Sequence, residues 1–347
     1  MRPTKHFPMR LLPAVVFFLA TGIVSAQNVT YAGTSVANFL KVGIGARAVG
    51  MGDSYVTESQ DAISMYWNPG AISRIEGGSA VFSSMPWLVD TQIFYAGFTI
   101  PFSFGTFGFD FHQFSSGDME ETTLQEQEGT GRFFDAGDLQ LGLAYSRSLT
   151  DRFSFGIKVK YLQEELAHVK AQAFGFDIGS LFYTSFFGGL KLGMTLSNFG
   201  TKMTFSGRDL AVIYPVPGSP SNKEVPARLS TEDWEIPLFF RVGMSFYALN
   251  TDRLQVMLSG TVIDGRDRQA HFNFGTEVGI LNMLYLRGGY RIDSSELPKE
   301  RRQEATYSLG LGLDLGFVGV SGLKFDYSLL DFGRFEMIEQ FTMAVGF

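Results

Sequence analysis

The stretch Phe153-Ser-Phe-Gly-Ile-Lys-Val-Lys-Tyr161 decides the fold. Five bulky apolar side chains occupy every second position, and small or charged residues fill the gaps. Successive side chains of an extended chain point to opposite faces, whereas a helix repeats about every 3.6 residues, so this period specifies a strand. The same rhythm runs through Phe107 to Phe111, Leu139 to Tyr145, Leu254 to Leu258, Tyr307 to Leu313, Leu323 to Leu329 and Phe341 to Phe347. From Ser79 onward the pattern predicts about fourteen strands, each near the ~10 residues that a tilted membrane strand requires. Strands of soluble sandwiches average roughly 5 or 6 residues, so length points to a membrane.

The connections give a second, independent test, because an outer-membrane barrel alternates short periplasmic turns with longer extracellular loops. Tight turns are expected at Pro101 to Ser103, Leu149 to Arg152, Thr184 to Gly188, Ala248 to Arg253, Gly279 to Asn282 and Leu315 to Val318. Between them lie the long connections Ser115 to Ala136, Gly200 to Ile236 and Ile292 to Glu304, all on one side. The fold expected is an all-β, transmembrane antiparallel barrel whose apolar band contacts outer-membrane lipid and, on the outside, lipopolysaccharide.

Composition agrees and excludes other classes. Aromatic residues make up 15% and charged residues 18%, with 40 glycines and a mean hydropathy of +0.07, so neither disorder nor a helical membrane protein is indicated. A net charge of −7 without a basic cluster excludes nucleic acid, whose phosphates demand a concentrated positive footprint. With no cysteine there is neither a disulfide framework nor a thiolate site.

Arg2, Lys5 and Arg10, the apolar run Leu11 to Val24 and the small residues Val24-Ser-Ala26 read as a signal peptide over residues 1–26. The run is too short for a spanning helix and Pro13 interrupts it, so export is expected to the cell outer membrane. Residues 79–347 form the barrel in this reading, and residues 27–78, which do not alternate, form an N-terminal plug or hatch. Gly43, Gly45, Gly50 and Gly52 in that segment permit close packing of its backbone against a wall. A short helix is expected around Asp61 to Tyr66.

Inside the barrel, the polar set of each strand should face the lumen, which places Asp110, Lys158, Lys160, Asp177, Glu277, Arg287, Arg291, Asp314, Lys324 and Asp326 there. Both signs are present, so pairing among them is expected rather than an ion-selective ring. Arg47 in the segment needs an acid for the same reason, with Asp110, Asp177 or Asp53 as candidates. The chain stops on Phe347 at the end of an alternating strand, which must pair with the first to remove both edges. Such a terminal Phe is similar to the signal read by the outer-membrane assembly machinery.

Gly45-Ala-Arg47-Ala-Val-Gly50-Met-Gly52-Asp53-Ser-Tyr-Val56, then Asp61-Ala62 and Tyr66-Trp-Asn68-Pro69-Gly70, closely resembles the start of PorV/PorQ family proteins. Pro86-Trp-Leu88 is similar to that family's tripeptide after the first strand. Asn68-Pro69-Gly70 also resembles, more distantly, the Asn-Pro-Ala hatch motif of FadL-type fatty-acid channels, with Gly70 in place of Ala. The resemblance covers roughly residues 33–90 and the strand architecture carries it on. It implies a FadL-like barrel and an accessory or shuttle role in type IX protein secretion, with the type IX translocon and secreted cargo as partners. Its alternative implication is a passive channel for hydrophobic small molecules.

No chemistry competes with these readings. Gly43-Ile-Gly45-Ala-Arg-Ala48 has the spacing of a dinucleotide fingerprint, but no βαβ pattern follows it, so no cofactor is expected. His112, His168 and His271 are widely spaced and make no metal pattern. His112 with Ser115 or Ser116 is the only local candidate for a rim lipid hydrolase, and an interfacial histidine is the simpler expectation. The acids Asp118, Glu120, Glu121, Glu126 and Glu128 could bind calcium or bridge to lipopolysaccharide, but they read first as a solvated loop. The proline-rich loop 200–236 is the place to look for an external protein contact.

Overall fold

The computed structural model describes residues 33–215, 224–293, 307–318, 322–333 and 335–347. The signal peptide, Pro217, Pro220 and most of the 292–304 loop lie outside the described residues.

Fourteen antiparallel strands close into one ring. They are β1 Ser79–Pro86, β2 Gln92–Phe102, β3 Gly105–Ser115, β4 Ala136–Ser148, β5 Phe153–Leu166, β6 Val169–Tyr183 and β7 Lys191–Gly200. The second half comprises β8 Phe239–Asn250, β9 Leu254–Gly265, β10 Arg268–Ile280, β11 Leu284–Asp293, β12 Tyr307–Asp314, β13 Leu323–Phe332 and β14 Phe335–Gly346. The last strand lies beside the first, with Ser79 opposite Gly346 and Ser84 opposite Phe341. Closure leaves no open edge in the ring.

Alternation translates directly into two faces. On β6, Ala171, Ala173, Gly175, Asp177, Gly179 and Leu181 are buried, while Gln172, Phe174, Phe176, Ile178 and Phe182 are exposed on the outer wall. Phe109, Leu143, Ile157 and Leu311 continue that outer band around the ring. No helix among the described residues is long and apolar enough to cross a membrane; the crossing is made by strands.

The turns fall close to where the sequence places them, with local shifts. Pro101 stays in register opposite Thr106, and Phe102 pairs with Gly105, so the first tight turn moves on to Ser103-Phe104. The expected helix occupies Ser64–Trp67 rather than Asp61 to Tyr66. Another helical turn, Ala46–Gly50, and the 3-10 turn Pro69–Arg74 have no apolar period that would reveal them. The long loops carry structure of their own: Met119–Glu120 pairs with Phe133–Phe134, and Ala211–Pro215 with Glu224–Arg228.

Candidate functional site

The segment before β1 runs through the interior of the ring. Every residue from Ile44 to Ile72 is buried except Ser59 and Gln60. Its upstream part, Ser35–Lys41, lies at the long-loop end: the amide of Val36 donates to the carbonyl of Glu235, the amide of Ala37 donates to Glu164, and Lys41 pairs with Asp267. Phe39 and Leu40 pack there with Leu162, Ala173, Met203 and Ile236. At the other end, Arg74 donates to the carbonyls of Thr150 and Asp151 in a tight turn, at 2.8 Å each. The segment therefore spans the lumen from the loop crown to the periplasmic turns.

Two opposite walls hold it. On β10 to β13 the contact is ionic. Arg47 meets Glu277 through two parallel bonds, Nε to Oε2 at 2.7 Å and Nη2 to Oε1 at 2.8 Å. Glu277 also accepts from Arg287 Nε at 2.7 Å, and Arg287 Nη1 reaches Asp326 at 2.6 Å. Glu58, fully buried in the segment, adds a 3.5 Å contact to Arg47 and accepts from Ser245 at 3.1 Å. Burial opposes the charge on Arg47, but Glu277, Tyr55 and Glu58 outweigh it and hold the guanidinium's pKa well above its usual value. The forked geometry suits a guanidinium and would not be reproduced by lysine.

On β5 and β6 the contact is neutral and close. Asn68 is the pivot: its Nδ2 donates to the carbonyls of Val56 and Ser180 at 2.8 and 2.9 Å, and its Oδ1 accepts the amide of Gly70 at 2.9 Å. That last bond caps the 3-10 turn, which Pro69 enters at its first position. The Gly70 carbonyl accepts from Ser154 and Ser146 on the wall, at 2.8 and 3.2 Å. Here backbone touches backbone: a Cβ at Gly70 would stand 2.5 Å from the carbonyl oxygen of Gly179, and one at Gly156 would stand 2.6 Å from the carbonyl carbon of Pro69.

The sequence-designated residues fall as follows. Gly50 lies on Gly310, and Gly52, with φ of +64°, lies against Gly289 and Tyr290 while its amide donates to Ser308. Asp53 pairs with Arg291, Asp110 with Lys158, and Asp177 with Lys160. Phe347 pairs backbone to backbone with Gly78 and stacks on Phe98. The expected partners of Arg47 need correction. Asp110, Asp177 and Asp53 each serve another cation, and the acid that meets Arg47 is Glu277, because the helical turn Ala46–Gly50 packs against β11 to β14 and Arg47 reaches from it to the neighbouring β10. Glu58 was missed, since a lone acid in a non-periodic segment carries no sequence signal. His112 is also corrected: it faces the lumen, fully buried among Phe39, Tyr66 and Tyr95, rather than sitting at the membrane interface.

A closed barrel of this strand number, threaded by its own amino-terminal segment, defines an outer-membrane β-barrel of FadL-like fold. The structure is similar to the monoaromatic hydrocarbon channel CymD (TM-score 0.56, 10% identity, covering 88% of this chain and 98% of that one). It is also similar to the Pseudomonas putida toluene transporter TodX (TM-score 0.53, 14% identity, 87% and 97%). A FadL homologue from Pseudomonas aeruginosa aligns with TM-score 0.50 at 13% identity, over 86% and 97%. At such identities the likeness is one of fold. No curated protein matches the sequence. The family model described as type IX secretion system protein PorV matches residues 25–214, more than half the chain, and the chain belongs to that family. It is an outer-membrane barrel of type IX secretion.

Proposed function

We propose that the chain is a non-catalytic accessory barrel that binds exported protein at its extracellular face and passes it on, with the amino-terminal segment acting as a fixed plug. The observation that carries this reading is the double anchoring of the segment. Direct backbone contact on one wall and a buried ionic network on the other leave little room for a solute path, so the work falls to the loops outside. The loop crown offers built surface there: the Ala211–Pro215 and Glu224–Arg228 hairpin exposes Ile213 and Tyr214. The FadL-like relatives support a second reading, a passive channel for hydrophobic molecules, which would require the segment to move.

Affinity capture of the tagged protein from native outer membranes, followed by mass spectrometry, separates the two. Co-purification of a translocon barrel and of secreted proteins sharing one terminal domain is the expected result. Capture of the barrel alone, together with hydrocarbon uptake by liposomes containing it, would put the channel first.

A further inference from the structure

We infer that the amino-terminal segment bolts the ring at its seam, so that the wall between β1 and β14 opens sideways toward lipid when the segment withdraws. Every other joint in the ring lies between consecutive strands, which a turn or loop ties together at one end. β1 and β14 come from opposite ends of the barrel chain and are held by pairing alone. Their register is also short, running from Ser79 opposite Gly346 to Ser84 opposite Phe341, whereas β4 and β5 pair from Ala136 with Leu166 to Ser148 with Ser154. A folded chain opens first where its ties are fewest.

The segment meets this joint from inside, with one hydrogen bond on each strand. The amide of Ala46 donates to Thr342 Oγ1 on β14 at 2.8 Å, and the amide of Ala62 donates to Ser79 Oγ on β1 at 3.1 Å. Ala46 opens the helical turn Ala46–Gly50 and Ala62 precedes the turn Ser64–Trp67, so neither amide has a partner within a helix. Both residues are fully buried, where an unpaired N–H is costly. The wall hydroxyls therefore complete the segment's backbone while the segment grips the wall. Thr342 carries the contact across the joint: its Oγ1 lies 2.8 Å from Ser83 Oγ on β1, and Ser83 donates back to the carbonyl of Phe341 on β14 at 3.2 Å. With Ala46 donating to it, the Thr342 hydroxyl turns its own hydrogen to Ser83, and withdrawal of Ala46 removes the bond that sets this orientation. At the periplasmic end, Gly78, the last residue of the segment, exchanges backbone hydrogen bonds with Phe347 at 2.7 and 2.9 Å.

On the outer wall, an apolar furrow of about 650 Å³ lies across the same joint, flanked by Phe82 and Ser84 on β1 and by Phe341 and Met343 on β14, and its lining includes Ser83 and Thr342. The hydroxyls closed by the bolt thus stand between the lumen and hydrocarbon, and a gap here leads into lipid.

The test is hydrogen exchange read by mass spectrometry on the barrel in nanodiscs, with wild type set against Thr342→Val, Ser79→Ala and the double variant. Gel mobility before and after heating verifies that each is folded. Amides of β1 and β14 should exchange about tenfold faster in the double variant and about threefold faster in Thr342→Val, with β4 and β5 unchanged. Thr342→Ser, which keeps the hydroxyl, should match wild type. As a control, Ser146→Ala combined with Ser154→Ala removes the segment's serine contacts at a joint that a turn ties together, and should leave the pairing of β4 with β5 intact. Seam exchange at the wild-type rate in the double variant overturns the bolt, and so does a rise shared equally by all strands, which marks a general loss of stability. An equal rise between β4 and β5 in the control overturns it too. Docking at the extracellular face needs the plug only to stay seated, so failure of the bolt leaves that role standing.

Discussion

The two walls that hold the amino-terminal segment solve one problem by different physics. On β10 to β13, Arg47, Glu277, Arg287 and Asp326 are taken out of water together, and each charge is tolerable only because the next one faces it. On β5, β6 and their neighbours β3 and β4, the lumen charges Lys158 and Lys160 pair with Asp110 and Asp177 of the wall itself, and the segment's Asn68, Pro69 and Gly70 meet glycine backbone, two serine hydroxyls and the Ser180 carbonyl. The ionic wall is specific in direction and intolerant of losing a partner. The neutral wall is specific in shape and intolerant of added volume.

The contrast breaks most sharply at Gly179. A side chain there would run into Asn68 and Pro69, so Gly179→Val should cost about 3 kcal/mol or more, or prevent folding. The readout is the fraction of barrel that migrates as folded without heating. If the variant folds with wild-type stability, the segment moves freely against that wall and the channel reading gains.

Charge removal comes next. Glu277→Gln leaves Arg47 only its longer contact to Glu58 and Arg287 only Asp326, and should destabilise by roughly 3 to 5 kcal/mol, with Arg47→Met costing less because Glu277 keeps Arg287. Thermal unfolding in detergent at low and high salt should show both losses almost unscreened. A loss that disappears at high salt would mean the network is wet.

Asn68→Ala removes three hydrogen bonds and exposes the Val56 and Ser180 carbonyls to a dry interior, at a cost of about 1 to 3 kcal/mol. Limited proteolysis of the folded barrel provides a local check, since cleavage near the 3-10 turn Pro69–Arg74 should rise more than elsewhere. Uniform protection would demote Asn68 to a turn former.

The smallest effect sharpens rather than breaks the comparison. Burial pushes the Asp61 carboxyl above its usual range, against the pull of Arg47. The folded state therefore binds this proton more tightly than the unfolded one, and stability falls as pH rises from the ordinary carboxylate pKa through the raised one. Asp61→Asn should lift the melting temperature slightly at neutral pH, flatten that part of the pH profile, and have no effect at low pH. An equal shift at low pH would point to packing instead of ionisation.

Much of the architecture was legible because its signal is local. Period-two alternation at Phe153 to Tyr161 assigns each residue a face before any partner strand is known, and the side of the long loops follows from chain order alone. The lumen charges were legible for the same reason, down to Glu277, Arg287 and Asp326. The partner of Arg47 was not, because 230 residues separate it from Glu277 and nothing in either neighbourhood encodes the other.

The sequence by itself determined an exported, strand-built membrane wall with an apolar outside, a charged inside and a small-residue segment ahead of it. Only the tertiary structure decided how that segment is held. Closing the ring brings Gly156 and Gly179 to Pro69 and Gly70, and carries Glu277 to Arg47. Contacts of that kind depend on where distant strands meet, and a residue's own neighbours in the chain carry no record of it.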